Sequence, residues 1–312
     1  MKFSIDNTNI MLMLISCALA FTLPFELVLL SYAFLGPAHY LTQISWMHDR
    51  DYFVGKRWFW VPGSAITLLL LITIYLLKIN TPLVSYGFYS FAIAIAMGFS
   101  ISREKHKIIL ITSAVMAALL ILHVVSIEFS QGLIILLPTV IHVYIFTGAF
   151  ILLGALKSNN KSGLVSFVVF MACSAMFLIV TPPDIMTMPN FVTGNIFVFA
   201  GVADYLAEML SFGGLVEGHA MLGFLSFVYT YHYLNWFSKA DIIKWHQIPR
   251  QRLAAIAFLY IISISLYLYD YSVGLLALLF LSILHVILEF PLNIITFRTL
   301  GGMALSTVKM RA

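Results

Sequence analysis

Apolar runs, each about as long as one membrane crossing, alternate with short polar turns along almost the whole chain. One transmembrane helix needs about 20 predominantly apolar residues. The polar breaks predict about ten helices, near residues 9–23, 25–47, 59–77, 82–101, 108–127, 131–156, 163–181, 215–237, 252–269 and 273–291. The pattern therefore predicts an all-α, polytopic transmembrane helix bundle, with residues 1–312 forming a single integral membrane domain.

The segment 181–212 departs from this pattern. Prolines interrupt its first half and two acidic side chains make its second half amphipathic; these residues are Pro182, Pro183, Pro189, Asp204 and Glu208. We interpret it as a re-entrant or interfacial segment. On this interpretation basic loops alternate with loops poor in Lys and Arg, and the positive-inside rule places both termini in the cytoplasm. A crossing at 190–212 would put the basic loop 238–252 outside, which the rule disfavours.

Composition identifies lipid as the solvent of this chain. Hydrophobic residues make up 62% and charged residues only 10%, whereas soluble domains carry about 25% charged residues. The net charge of +4 comes from basic residues in short loops, where such residues set membrane topology. Nucleic-acid binding is therefore not expected.

The sequence also bears on location. The first apolar run continues past Pro24, so we interpret it as a membrane helix and not as a removed signal peptide. Short cytoplasmic loops without targeting features favour the inner (cytoplasmic) membrane of a bacterium. Cys17 and Cys173 both lie in apolar runs and are expected to act as small core residues.

Ionisable residues at membrane depth are the candidates for chemistry, because each costs about 2.5–3.5 kcal/mol on insertion. Four histidines fall at similar depth along the predicted helices: His39, His142, His232 and His285. Glu289 follows the last of them by four residues and so shares its helical face. A lone histidine can serve packing by bonding a neighbouring helix, but four together with a carboxylate favour a metal site.

Imidazole and carboxylate ligands suit iron, zinc or copper, and a histidine-rich set with open positions suits non-haem iron. Fe²⁺ is therefore the predicted cofactor, and a haem held by two histidines stays open. Aromatic residues surround His232 in sequence and are candidates for lining the site: Tyr229, Tyr231, Tyr233 and Trp236. From this set Tyr231 and Trp236, together with Glu289, are the predicted catalytic residues.

Three short stretches resemble the Brp/Blh family of bacterial membrane-bound β-carotene-cleaving dioxygenases. Gly36–His39 is similar to an early Gly-x-Pro-His element, His232–Phe237 to a His-x-x-x-His-Phe element, and His285–Phe290 to a late histidine element followed by an acidic residue. Trp236 stands where the second histidine of the middle element is expected, and the run 82–101 lacks the family's His-Phe-Gly element. The resemblance implies an O₂-dependent enzyme with histidine-bound iron and a carotenoid-like substrate.

Three functions are therefore open. The leading expectation is a membrane-embedded oxidative metalloenzyme that takes an apolar lipid or carotenoid-like substrate from the bilayer. The alternative is a transporter or proton-coupled carrier, in which buried His and Glu side chains form a relay and the segment 181–212 gates a path. A non-catalytic membrane scaffold is the third.

Overall fold

A computed structural model describes residues 5–79, 82–183, 196–210, 217–244 and 247–311 of the chain. The helices are α1 (Ile5–Thr22), α2 (Pro24–Leu30), α3 (Gly36–His48), α4 (Trp60–Leu71), α5 (Pro82–Ile101), α6 (Lys105–Val125), α7 (Ile127–Leu136), α8 (Thr147–Ser158), α9 (Lys161–Ile179), α10 (Ile196–Leu210), α11 (Gly218–Phe237), α12 (Ala240–Ile243), α13 (Arg250–Tyr269) and α14 (Tyr271–Arg311). Three π-helical segments continue them, Ser31–Leu35, Ile72–Leu76 and Leu137–Phe146. No strand occurs among these residues.

The predicted all-α, polytopic bundle is confirmed. Within the described ranges, eight helices are long and apolar enough to cross a membrane. Each of the ten predicted runs corresponds to a helix, but the α2–α3 stretch and α11 are not among the eight. These two more polar stretches carry His39 and His232. The placement of both termini in the cytoplasm stays a prediction.

The chain packs as two compact units, Met1–Thr42 with Thr139–Leu279, and Gln43–Pro138 with Phe280–Ala312. The single membrane domain stays a prediction. In the first unit α11 is the central helix, because it packs against α1, α2, α9 and α10. Gly223 permits the close approach of α9, since a Cβ there would lie 2.9 Å from the ring of Phe177.

The second unit is built around α5, which packs against α4, α6 and α7. A Cβ at Gly98 would lie 2.5 Å from Thr112 Oγ1, so glycine allows α5 and α6 to touch. A Cβ at Gly63 would lie 2.8 Å from Leu288 Cδ2, so the glycine allows α14 to pack against α4. The last helix is thus held to this unit at the level of its buried segment.

Prolines accompany two of the π-helical segments. Pro37 has no N–H, and its ring would collide with the carbonyl of Ala33 in a regular α-helix. The chain widens over Ser31–Leu35 instead, and Gly36 N–H donates to the Ser31 carbonyl five residues back. Pro138 lies in the second of these segments, Leu137–Phe146. Such widened turns occur frequently at functional sites.

The predicted re-entrant or interfacial segment, 181–212, is described only in part. Its second half contains α10, whose 15 residues span about 22 Å at 1.5 Å per residue. This is shorter than the roughly 30 Å hydrocarbon core of a bilayer. Residues 184–195 and 211–216 lie outside the described residues, and the re-entrant or interfacial assignment stays a prediction.

Candidate metal centre

Three of the four predicted histidine ligands come together within the first unit. His39 is on α3, His142 on the π-helical segment 137–146, and His232 on α11. All three are buried, with at most 7% of their surface exposed. The Nε2 atoms of His39 and His232 lie 3.1 Å apart, and the rings of His142 and His232 have centroids 5.0 Å apart. The central helix α11 thus presents His232 to both of the other rings.

The second ring nitrogen of His232 has a partner that sequence reasoning missed. Thr147 Oγ1 lies 2.8 Å from His232 Nδ1. If His232 binds a cation through Nε2, then Nδ1 carries the proton and donates it to the threonine oxygen. Thr147 follows His142 by five residues, which is the spacing of one π-helical turn. Nothing in the apolar run around Thr147 marks it out in the sequence.

Aromatic side chains enclose the histidine pair. The rings of Tyr233 and Trp236 have centroids 5.1 and 5.6 Å from that of His39. Trp236 Nε1 donates to Thr42 Oγ1 at 2.9 Å, and the hydroxyls of Tyr40 and Tyr233 lie 2.8 Å apart. Trp236, which the sequence marked as a departure from a histidine motif, therefore packs directly against His39.

Tyr40 depends on the glycine that begins its helix. A Cβ at Gly36 would lie 3.1 Å from the Tyr40 hydroxyl, so glycine makes room for this ring beside the helix. Gly36 and Pro37 thus shape the backbone before His39 and the position of the neighbouring Tyr40 ring.

Tyr231 has different neighbours. Its ring stacks on Phe227 with an interplanar angle of 10°, and its hydroxyl donates toward Asn9 Oδ1 at 3.4 Å. Tyr231 and His232 are adjacent on a helix, so their side chains point about 100° apart. The catalytic assignment of Tyr231 stays a prediction, and Tyr233 is the tyrosine of α11 whose ring lies against His39.

In the second unit, His285 and Glu289 are buried one turn apart on α14, with 2% and 1% of their surface exposed. Gln43 Nε2 donates to Glu289 Oε2 at 2.7 Å. The glutamine follows His39 by four residues on the same helix, so its side chain projects from the same face of α3 as that histidine. Sequence reasoning named Glu289 but missed Gln43.

His39 and His232 are buried histidines of the first unit whose ligand nitrogens lie close enough together to hold a metal ion. The assignment of His285, in the second unit, as a further ligand stays a prediction. The 3.1 Å separation of the His39 and His232 Nε2 atoms fits two bound nitrogens. Nitrogens about 2.1 Å from one metal are about 3.0 Å apart at a right angle and about 3.4 Å apart at the tetrahedral angle. The chemistry of the donor set suits a transition metal.

Comparison of the chain with protein-family models, with curated proteins and with solved structures finds no match. The class of the protein therefore comes from its own fold and site. It is a multi-pass helical membrane protein with a buried group of histidines that could bind a metal. The resemblance to the Brp/Blh family stays a prediction.

Proposed function

We propose that this protein is a membrane-embedded oxidative metalloenzyme, with non-haem iron held by His39, His232 and His285, that acts on an apolar lipid or carotenoid-like substrate. The observation that carries the proposal is the convergence of the His39 and His232 Nε2 atoms at 3.1 Å. A shared cation would bind both nitrogens at this separation, and its binding would offset the cost of burying two imidazoles.

The proposed roles follow from the contacts. The three histidines bind the metal, and Thr147 orients His232 by accepting its Nδ1 proton. Glu289 places a carboxyl group one turn from His285, and Gln43 holds that carboxyl in place. Iron at such a site supplies the activation of O₂.

The substrate class is inferred from the surroundings of the site. Tyr233 and Trp236 place aromatic surface against His39, and such surface suits a long apolar molecule better than a polar one. A substrate of this kind would come from the bilayer itself. The three histidine stretches that resemble the Brp/Blh family support a carotenoid-like molecule as the first to test.

The metal content of the purified protein tests the proposal. Elemental mass spectrometry would compare the wild type with His39→Ala, His232→Ala and His285→Ala. The matched control is His106→Ala, because the side chain of His106 is 75% exposed. We expect close to one iron per chain in the wild type and the control, and loss of iron in the three site variants while helical content is kept.

Oxygen consumption then tests the reaction, with β-carotene or a long-chain lipid supplied in vesicles. We expect uptake that depends on both substrate and iron. A well-folded wild-type protein that takes up no metal under anaerobic reconstitution with Fe²⁺ would overturn the metalloenzyme. Iron binding without oxygen consumption would keep the metal site and reject the oxidative function.

A second function, a proton-coupled carrier, is favoured by the pair Gln43 and Glu289. A carboxyl group that is buried at membrane depth and bonded by an amide is typical of proton relays. Saturable flux into vesicles that persists in His39→Ala but stops in Glu289→Gln would support the carrier. If the protein is an enzyme and not a carrier, no flux is expected in the wild type, in His39→Ala or in Glu289→Gln.

A further inference from the structure

An apolar groove opens on the lipid-facing side of the second unit. It lies between the start of α4, the second half of α5 and the first half of α6, and its volume is about 320 Å³. Trp58, Phe91, Ile95, Phe99 and Ile109 line most of it. The volume is at the lower end of the roughly 300–1,000 Å³ of small-molecule sites, which suits one acyl chain and is too small for a protein segment with its own fold.

The groove faces the bilayer. Phe91 is 43% exposed and Ile109 67% exposed, and both lie on helices that are apolar and long enough to cross a membrane. Beside the groove, α5 and α6 approach closely at Gly98, where an added Cβ would lie 2.9 Å from the carbonyl oxygen of Ile108, a lining residue. The helices cannot move closer there, so the groove is a fixed feature of their packing.

Basic residues adjoin, in sequence, two of the residues that line one end of the groove. Arg57 precedes Trp58, and Lys107 precedes Ile108, which also lines the groove. The two loops that carry these residues meet, because Arg103 Nη1 donates to the Val54 carbonyl. The loops 49–57 and 103–107 together hold six basic and three acidic residues. This end is therefore positively charged.

The acidic residues of these loops do not prevent the basic residues from binding an anion. Arg57 pairs with Asp51 at 2.9 Å and Lys107 with Glu104 at 2.8 Å, but all four side chains are at least 43% exposed. Exposed ion pairs contribute only about 0–1 kcal/mol, so a phosphate group can replace the acidic partner at little cost. Trp58 packs edge-on against Phe99 with ring centroids 5.8 Å apart, at the level where the charged loops meet the apolar helices.

We propose that this groove binds an anionic phospholipid, with one acyl chain between α4, α5 and α6 and the headgroup phosphate at Arg57 and Lys107. Basic pockets between membrane helices on the side of the positively charged loops recognise anionic headgroups in this way. The site is independent of the histidine group and of the proposed enzyme. Its ligand is distinguished from bulk lipid by charge, because a zwitterionic headgroup offers no net negative charge to the basic end.

Tryptophan fluorescence provides the test. The protein would be reconstituted in phosphatidylcholine vesicles that contain either brominated phosphatidylglycerol or brominated phosphatidylcholine. Subtraction of the Trp58→Phe signal isolates the quenching of Trp58. One cation near a headgroup contributes about fivefold to binding. We therefore expect brominated phosphatidylglycerol to quench Trp58 by half at about one-fifth, or less, of the mole fraction that brominated phosphatidylcholine requires.

Three variants locate the effect. Arg57→Gln/Lys107→Gln is expected to reduce the anionic preference at least fivefold, and Ser113→Phe, which fills the groove, is expected to reduce quenching by both lipids. Lys157→Gln/Lys161→Gln removes the same charge from a different basic loop and is expected to keep the preference. Equal quenching of Trp58 by the two brominated lipids overturns the proposal, as does a preference that is lost only in the Lys157 and Lys161 control.

Discussion

The Nε2 atoms of His39 and His232 face each other at 3.1 Å although 193 positions of sequence separate them. Two arrangements satisfy this distance. In one, a neutral imidazole donates its Nε2 proton to the other ring. In the second, both Nε2 atoms are deprotonated and bind one metal ion, and each Nδ1 then carries the proton. The contact of Thr147 with His232 Nδ1 at 2.8 Å makes the second arrangement testable without altering a histidine.

Thr147→Val is expected to lower metal affinity about 10- to 100-fold, because the residues that orient metal-bound histidines have effects of that size. Valine keeps the shape of the side chain and removes the oxygen that accepts the His232 Nδ1 proton. Thr147→Ser keeps the hydroxyl and is the matched control. Titration of the metal-free protein with Fe²⁺ measures the change, and equal affinities for wild type and Thr147→Val would show that the hydroxyl does not orient a ligand.

The hydrogen bond between Gln43 and Glu289, 2.7 Å long, makes a prediction about stability. Gln43→Leu removes the donor and leaves a buried carboxyl less satisfied, which is expected to cost about 2 kcal/mol. The double variant Gln43→Leu/Glu289→Leu is expected to cost less than the two single changes together, because it removes the amide donor and the carboxyl acceptor of this hydrogen bond at once. Denaturant unfolding in detergent would measure all three, and strict additivity would contradict the coupling.

For the buried Asn293, substitution is expected to raise the stability of the protein. Its side chain is 2% exposed, and neither Nδ2 nor Oδ1 has a hydrogen-bond partner among the described residues. Asn293→Leu replaces the amide with an apolar side chain of similar shape and is expected to stabilise the protein by about 1 kcal/mol. Asn235→Leu is the control that should destabilise, because Asn235 Oδ1 lies 3.5 Å from the Tyr231 hydroxyl. A lower thermal midpoint for Asn293→Leu would show that the amide binds something in the native protein.

The pKa of Lys239, in the loop after α11, makes the stability of the protein depend on pH. Burial lowers its pKa from the ordinary 10.5 to about 8, and the nearby Asp6 carboxylate offsets part of that effect. Between about pH 8 and pH 10.5 the unfolded chain therefore binds more protons than the folded protein, so the free energy of unfolding rises with pH across this window. Lys239→Met should remove this part of the rise in thermal midpoint, whereas Lys157→Met, at an exposed lysine, should retain it.

Much of the fold could be predicted because membrane crossing depends on properties that are local in sequence. The lengths of the apolar runs and the positions of prolines and charges locate the helices, and each of the ten predicted runs corresponds to a helix. The depth of each histidine follows from the same count. The same count predicted a similar depth for His39, His142, His232 and His285, and in the structure the first three lie together in the first unit.

The partners of these residues could not be predicted in the same way. Thr147 is 85 positions from His232 and Gln43 is 246 positions from Glu289, and which side chains meet depends on how each helix is rotated about its axis. In a soluble helix an apolar stripe indicates that rotation. On α11 the apolar residues are spread around the whole circumference, so no stripe distinguishes the face of Tyr231 from that of Tyr233.

The sequence by itself determined that this protein is a helical membrane bundle with ionisable side chains at depth, because hydropathy and chain length act residue by residue. Only the tertiary structure decided that Nε2 of His39 meets Nε2 of His232, that the Thr147 hydroxyl contacts Nδ1 of His232, and that Trp236 packs against His39. Those contacts depend on how each helix is rotated about its axis, and the packing of the neighbouring helices and the widened turn before Pro37 act on that rotation together.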